Sequence, residues 1–236
     1  MSEKGAPKGR QRLKEIGALL FHAPRSLGHL GARGPKDGPP VMVIPGFLAH
    51  DLHTTQLRRA LAKAGFRVHP WRQGMNLGAR ADTLEILKRA VDSCGSSEPM
   101  LLVGWSLGGL YAREIARAEP DRVRAVVTMG SPVWGDRRRY TNVWKLYERI
   151  AGHPVDKPPI PDKSQKPPVP TLALWSQHDG IVGAPSARGT KKTRDKAVAI
   201  DTTHMGFAMS PKTTRAAVRE IVGFLNEVEG GSSPRA

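Results

Sequence analysis

The sequence has few cysteines, few aromatic residues and no long apolar runs. Its 236 residues include a single cysteine, Cys94, so no internal disulfide can form, which fits a reducing compartment. No stretch approaches the roughly 18 consecutive apolar residues of a membrane-spanning helix. The apolar stretch from Ile16 to Phe21 is too short and too late for an ordinary secretory signal. We therefore expect a cytoplasmic protein.

Acidic residues are also scarce. The chain has 37 Lys and Arg against 21 Asp and Glu, which gives a net charge of +16. Such a charge favours weak association with an anionic membrane surface, and it raises the alternative of a non-catalytic protein that binds nucleic acid or another anionic surface. However, the basic residues lie in separate patches, no nucleic-acid motif accompanies them, and aromatic residues make up only 6% of the chain. No specific nucleic acid is therefore expected, and the oligomeric state is left open.

The remaining composition is ordinary, with 39% hydrophobic and 25% charged residues. It excludes collagen-like, coiled-coil and wholly disordered chains, and the length suits one large domain. We expect a basic N-terminal arm and linker over residues 1–40, a folded domain over 41–229 and a flexible C-terminal tail over 230–236.

Short apolar runs alternate with segments of helical periodicity along the folded domain. The run at residues 41–44 has the continuous apolar character of a strand buried on both faces. Predicted strands cover residues 41–44, 66–71, 100–103, 123–129, 172–175 and 197–200, and predicted helices cover 54–64, 81–93, 107–118 and 213–228. This alternation predicts an α/β fold with a mostly parallel central sheet flanked by helices.

The proline-rich segment 135–170 interrupts the alternation, with a helical pattern over residues 140–151. An irregular stretch of this length inside a compact domain is usually a functional lid, a binding loop or a disordered insertion. We predict a small lid or flap above the sheet, in which Trp144, Leu146 and Tyr147 cover a substrate pocket. The run Arg137–Arg139 is interpreted as a solvated face, the alternative being a contact with an acidic substrate or lipid head group.

The motif Gly104-Trp105-Ser106-Leu107-Gly108 lies between a predicted buried strand and a predicted helix. The G-x-S-x-G spacing builds a sharp strand-to-helix turn, in which small residues two positions before and after the serine leave room for its strained backbone. The serine hydroxyl then projects at a helix N-terminus, where free N–H groups and the helix dipole suit a developing oxyanion. Ser106 is therefore the candidate nucleophile.

A serine nucleophile needs a base and an acid that orients the base, in the chain order Ser, Asp or Glu, His. Asp179 follows the predicted strand 172–175, and His204 follows the predicted strand 197–200. Because functional groups of parallel sheets gather beyond the carboxyl ends of the strands, these residues can converge with Ser106. His178 and Asp201 are the neighbouring alternatives for the two roles. The N–H groups of Leu107 and of Phe47, in the loop after the first strand, are the predicted oxyanion donors.

The sequence resembles the α/β-hydrolase superfamily, and more narrowly small bacterial lipases and carboxylesterases, from about residue 41 to residue 228. The motifs that carry the resemblance are VIPGF, GWSLGG, VVTMGSP, SQHDGIV and TTHMGF. The resemblance implies Ser106 as nucleophile, His204 as base and then acid, Asp179 as orienter, and backbone donors at Phe47 and Leu107. Many lipases carry His-Gly in the oxyanion loop, whereas this chain has Pro45-Gly46.

The predicted function is hydrolysis of a small-molecule or lipid carboxylic ester through an acyl-enzyme. Thioester hydrolysis and acyl transfer use the same triad and are the alternatives. Leu48, Trp134, Val182 and Met205 are the predicted substrate-binding residues, since they cluster near the expected mouth of the site. The chemistry needs no cofactor, and no cluster of His, Cys and Asp indicates a metal site.

Overall fold

The computed structural model describes residues 34–95 and 97–230. Most of the predicted N-terminal arm and almost all of the predicted C-terminal tail lie outside the described residues, so both stay predictions. None of the described helices is long and apolar enough to cross a membrane.

A parallel β-sheet forms the centre of the described chain. Its six strands are β1 (Pro40–Ile44), β2 (Arg67–Pro70), β3 (Met100–Trp105), β4 (Val123–Met129), β5 (Thr171–Trp175) and β6 (Lys196–Ala199). Their order across the sheet is β2-β1-β3-β4-β5-β6, and every neighbouring pair is parallel. The prediction of a mostly parallel central sheet is therefore confirmed.

Helices cover both faces of the sheet. They are α1 (Thr55–Lys63), α2 (Thr83–Asp92), α3 (Leu107–Ala118), α4 (Arg137–Tyr140), α5 (Trp144–Ala151), α6 (Ala184–Arg188), α7 (Gly206–Met209) and α8 (Pro211–Gly230), with short 3-10 turns at Asp51–Thr54 and Pro120–Arg122. Alternate residues of β1 show why both faces are apolar. Val41 and Val43 pack in the core that includes α1 and α8, whereas Met42 and Ile44 pack in the core that includes α2 and α3.

The helical pattern predicted in the segment between β4 and β5 differs from the structure. The helical pattern over residues 140–151 forms the C-terminal residue of α4 and the whole of α5, because the chain between them is extended. There Thr141 forms an antiparallel bridge with Val182, and the Asn142 N–H donates to the carbonyl of Ile181 at 3.0 Å. These bonds attach the segment to the loop after β5 and interrupt the helix.

Candidate active site

Ser106 lies in the sharp turn between β3 and α3. Its backbone angles, φ 55° and ψ −122°, are strained for a residue with a side chain, at a cost of about 1–3 kcal/mol. A Cβ atom at Gly104 would lie 2.3 Å from the carbonyl oxygen of Gly108, and one at Gly108 would lie 2.2 Å from that of Ile44. Close backbone approach thus requires glycine at both positions, which is the structural reason for the G-x-S-x-G spacing.

Asp179 and His204 form a buried hydrogen-bonded pair. Nδ1 of His204 lies 2.8 Å from Oδ2 of Asp179, and the two side chains are 5% and 0% exposed. The other carboxylate oxygen, Oδ1, accepts hydrogen bonds from the N–H groups of Ile181 at 2.9 Å and Val182 at 2.8 Å. Both oxygens of the carboxylate are therefore engaged, and the imidazole is held by its Nδ1 atom.

Gly130 and Trp105 connect this pair to the turn that carries Ser106. The Ser106 N–H donates to the carbonyl of Met129 at 2.8 Å, and a Cβ atom on the next residue, Gly130, would lie 2.8 Å from Oδ2 of Asp179 and 3.2 Å from Nδ1 of His204. Nε1 of Trp105 donates to the carbonyl of His204 at 3.0 Å. The loops that follow β3, β4, β5 and β6 thus meet beyond the carboxyl ends of these strands.

Gly130 was not identified as a site residue from the sequence. Its φ of +57° is readily adopted only by glycine, and a side chain there would collide with the Asp179–His204 pair. Its position directly after the predicted strand 123–129 is the signal that could have identified it.

The loop after β1 lies against the same turn. Residues Gly46–Ala49 form a tight turn in which the Ala49 N–H donates to the carbonyl of Gly46 at 3.1 Å, and Phe47 lies at its corner. A Cβ atom at Gly46 would lie 2.9 Å from Cβ of Ser106, so the loop and the serine are in contact. Leu107 is the first residue of α3, and the N–H groups of the first helical turn have no partner within the helix.

A largely apolar cavity opens beside Ser106 and contains about 690 Å³ of space, part of it open to solvent. Its wall along α3 consists of Leu107, Leu110, Tyr111 and Glu114, which lie on one face of the helix. From Leu107 to Glu114 this wall is about 10 Å long, at 1.5 Å per residue. The segment between β4 and β5 provides much of the remaining lining: Arg137, Thr141, Val143, Trp144, Tyr147, Val155, Pro158, Ile160, Pro161 and Asp162.

The predicted substrate-binding residues divide between this cavity and other places. Val182 lines the cavity, as do Phe47 and Leu107. Leu48 donates its N–H to the carbonyl of Asn76, and the Trp134 ring lies 6.0 Å from the Tyr140 ring. Met205, which is 6% exposed, packs in the core on the α8 side of the sheet. The substrate-binding role of these residues stays a prediction.

Trp144 and Tyr147 of α5 line the cavity, in the position expected for a lid, whereas Leu146 does not line it. The Tyr147 ring packs edge-on against Phe47 with ring centroids 5.1 Å apart, and the Tyr147 hydroxyl accepts a hydrogen bond from the Ala79 N–H at 3.2 Å. Burial raises the pKa of this tyrosine. Helix α5 is thus bound directly to the loop after β1.

Charged groups stand at the far end of the cavity. Arg137, the first arginine of the run, is paired with Asp162. It lines the cavity, contrary to the prediction of a solvated face. Glu114 is 4% exposed and accepts hydrogen bonds from Arg117 at 2.5 Å and the Lys163 N–H at 3.2 Å. Burial raises the pKa of Glu114. The cavity therefore changes from apolar near Ser106 to polar at Glu114.

The alternative acid and base form a different pair at the surface. His178 and Asp201 lie 2.7 Å apart, with side chains 64% and 89% exposed. Their exposure contrasts with the burial of Asp179 and His204. Within residues 34–95 and 97–230, no group of three or more His, Cys, Asp and Glu side chains is arranged to hold a metal ion.

Comparison with known proteins agrees with the architecture. Residues 72–154 match the family model described as the alpha/beta hydrolase fold. The chain is similar to an α/β hydrolase enzyme from the metagenome of Mar Chica lagoon sediments (21% identity, TM-score 0.59). The match covers 81% of this chain and 92% of that enzyme. It is also similar to a thermophilic esterase from Thermogutta terrifontis (19% identity, TM-score 0.58), with coverage of 80% and 90%.

The chain therefore has the alpha/beta hydrolase fold. This confirms the fold that the resemblance of its motifs implies. A short stretch is also similar to the pimeloyl-[acyl-carrier protein] methyl ester esterase of Cronobacter sakazakii, with 45% identity over 58 residues. That match covers 25% of this chain and 22% of the relative, so it does not assign the relative's activity to this chain.

Proposed function

We propose that this α/β hydrolase cleaves carboxylic esters through a Ser106–His204–Asp179 triad. The observation that carries the proposal is the buried pairing of Asp179 with His204, at the same edge of the sheet as Ser106. A buried carboxylate bound to Nδ1 fixes the tautomer that leaves Nε2 as the proton acceptor. Such an arrangement is what an activated serine requires.

In the proposed reaction, Oγ of Ser106 attacks the ester carbonyl while Nε2 of His204 takes the hydroxyl proton. The carbonyl oxygen becomes an oxyanion that accepts hydrogen bonds from the N–H groups of Phe47 and Leu107. Collapse of this intermediate breaks the bond to the alcohol, which leaves with the proton from His204. Water then attacks the acyl-enzyme by the same steps, releasing the acid and restoring Ser106.

The cavity supports an ester with an apolar acyl group as the substrate. Leu107, Leu110 and Tyr111 offer an apolar path that begins at Ser106, and Val182 lines the same cavity. Apolar walls with few polar groups are typical of sites for small organic ligands. The esterase from Thermogutta terrifontis is similar in fold, and the relative from Cronobacter sakazakii acts on a methyl ester, as its name states.

Hydrolysis of p-nitrophenyl butyrate and p-nitrophenyl laurate by the wild type and by Ser106→Ala tests the proposal. We expect turnover by the wild type and its loss in the variant. Acetyl and butyryl thioesters, assayed alongside, distinguish the thioesterase alternative, and acyl transfer is tested by adding a second alcohol and measuring the new ester. Equal activity of the two proteins on every substrate would overturn the assignment of Ser106.

A further inference from the structure

The turn Gly46–Ala49, which contains Phe47, has a strained backbone at Leu48. Leu48 has φ +58°, the left-handed region that glycine adopts easily and leucine does not. A turn with a left-handed residue at this position normally contains glycine or asparagine there. The strained conformation of this loop therefore needs support from the surrounding structure.

Asn76 provides that support on both sides of Phe47. Its backbone carbonyl accepts from the Leu48 N–H at 2.8 Å, and its backbone N–H donates to the carbonyl of Ala49 at 2.9 Å. Its side-chain Nδ2 donates to the carbonyl of Pro45 at 2.9 Å. Asn76 is only 2% exposed, so water does not compete for these bonds.

The remaining side-chain atom of Asn76 reaches the helix that follows Ser106. Its Oδ1 accepts from the hydroxyl of Tyr111 at 3.3 Å and from the Gly78 N–H at 3.3 Å. Tyr111 lies one turn beyond Leu107 on α3. One amide side chain thus bonds to the loop of one proposed oxyanion donor and to the helix of the other.

We propose that Asn76 is a positioning residue for the oxyanion hole. It holds the N–H of Phe47 at a fixed place relative to the N–H of Leu107, so that both donors point to the developing oxyanion before the reaction begins. The amide supplies a donor for Pro45 and an acceptor for Tyr111 from two atoms of one short side chain. The inference rests on the proposed ester hydrolysis and adds a residue that does not contact the substrate.

The test compares Asn76→Ala with the wild type for kcat, KM and inhibition by an aryl trifluoromethyl ketone. The ketone forms a tetrahedral adduct with the serine, and its oxyanion reports on the hole directly. Removing an oxyanion donor outright costs about 10²–10³-fold in kcat, so displacing one is expected to cost about 10- to 100-fold. We expect that loss in kcat, an equal weakening of ketone inhibition, and a KM within about threefold.

The matched control is Thr83→Ala. Thr83 lies at the C-terminal end of the loop that contains Asn76, between β2 and α2. Its hydroxyl accepts from the Arg80 N–H of that loop at 2.8 Å, and it does not line the cavity beside Ser106. Active sites are titrated by the p-nitrophenol burst, so that kcat refers to folded enzyme only. Asn76→Ser, a smaller change that keeps a polar group, is measured with it in case Asn76→Ala folds poorly.

The inference would be overturned if both Asn76 variants kept the kcat per titrated site and the ketone inhibition of the wild type, even if their melting temperatures fall. Losses of kcat and ketone inhibition of the same size in Thr83→Ala would also overturn it, because they would show a general loosening of the loop. Failure of the proposed function is distinguishable: the wild type itself would then show no turnover that depends on Ser106.

Discussion

Asp179 and His204 are joined through Oδ2 and Nδ1 at 2.8 Å, and neither side chain has appreciable contact with solvent. Asp179→Asn keeps the shape of the side chain but replaces an acceptor with an amide that can fix the wrong imidazole tautomer. We expect kcat for p-nitrophenyl butyrate to fall by about 10⁴-fold with the fold intact. Steady-state kinetics together with circular dichroism measure both.

The control for this prediction is Asp201→Asn, which alters the exposed pair with His178. We expect kcat within about twofold of the wild type, since exposed pairs contribute little. If Asp201→Asn lost activity and Asp179→Asn kept it, the acid would have to be reassigned to Asp201.

Trp105 gives a second prediction, because it joins the Ser106 turn to the His204 loop. Trp105→Phe preserves most of the apolar volume but removes the Nε1–H that donates to the His204 carbonyl at 3.0 Å. Loss of a buried hydrogen bond costs about 1–3 kcal/mol. We expect a lower melting temperature and a fall in kcat of about tenfold from displacement of His204. A variant with a lower melting temperature and unchanged kcat would limit Trp105 to a structural role.

The apolar path along α3 predicts dependence on acyl chain length. Leu110 lies four residues after Ser106, about 6 Å along the helix, and it lines the cavity. Leu110→Trp should block the path beyond a short acyl chain. We expect kcat/KM for p-nitrophenyl laurate to fall at least about tenfold, and that for butyrate to stay within about threefold.

Ile150→Trp is the matched control, since Ile150 is 38% exposed on α5 and does not line this cavity. It should leave the laurate-to-butyrate ratio unchanged. A ratio that changes equally in both variants, or in neither, would show that long acyl chains do not follow α3.

Arg113 supports the fourth prediction, on stability. This arginine is 2% exposed and donates to three carbonyls, those of Thr193 at 2.6 Å, Ser164 at 2.8 Å and Gln165 at 2.8 Å. Burial lowers its pKa to about 10. Arg113→Met keeps an unbranched apolar stem but removes the donor of the Thr193 and Ser164 carbonyls. The Gln165 carbonyl keeps a second donor, the Arg117 guanidinium.

We expect Arg113→Met to lower the free energy of unfolding by about 3 kcal/mol, measured by urea denaturation. Arg89→Met is its control, because Arg89 is exposed and its side chain donates within its own helix, to the carbonyl of Glu85. A change in Arg113→Met no larger than in Arg89→Met would contradict the prediction.

Local pattern was enough to predict the sheet and the helices that carry the candidate site. Helix α3 has the predicted bounds because the apolar periodicity begins directly after the serine and Glu119-Pro120 ends it. Helices α6 and α7 were missed, since five and four residues are too few to show helical periodicity.

The supporting contacts of the site could not be predicted. Asn76 lies in an irregular loop and bonds to Pro45, 31 residues away, and no periodic signal marks such a contact. Glu114 reads as an ordinary polar position within a helix, and only the packing of the segment between β4 and β5 buries it. Association with an anionic membrane, predicted from the charge, stays a prediction.

The most direct test of the central claim is covalent labelling with a fluorophosphonate, followed by mass spectrometric mapping of the modified peptide. The reagent reacts with a serine activated by a base and mimics the tetrahedral intermediate. We predict stoichiometric labelling at Ser106, abolished in Ser106→Ala and strongly slowed in His204→Ala. Absence of labelling in the folded wild type, or labelling of a different serine, would contradict the account.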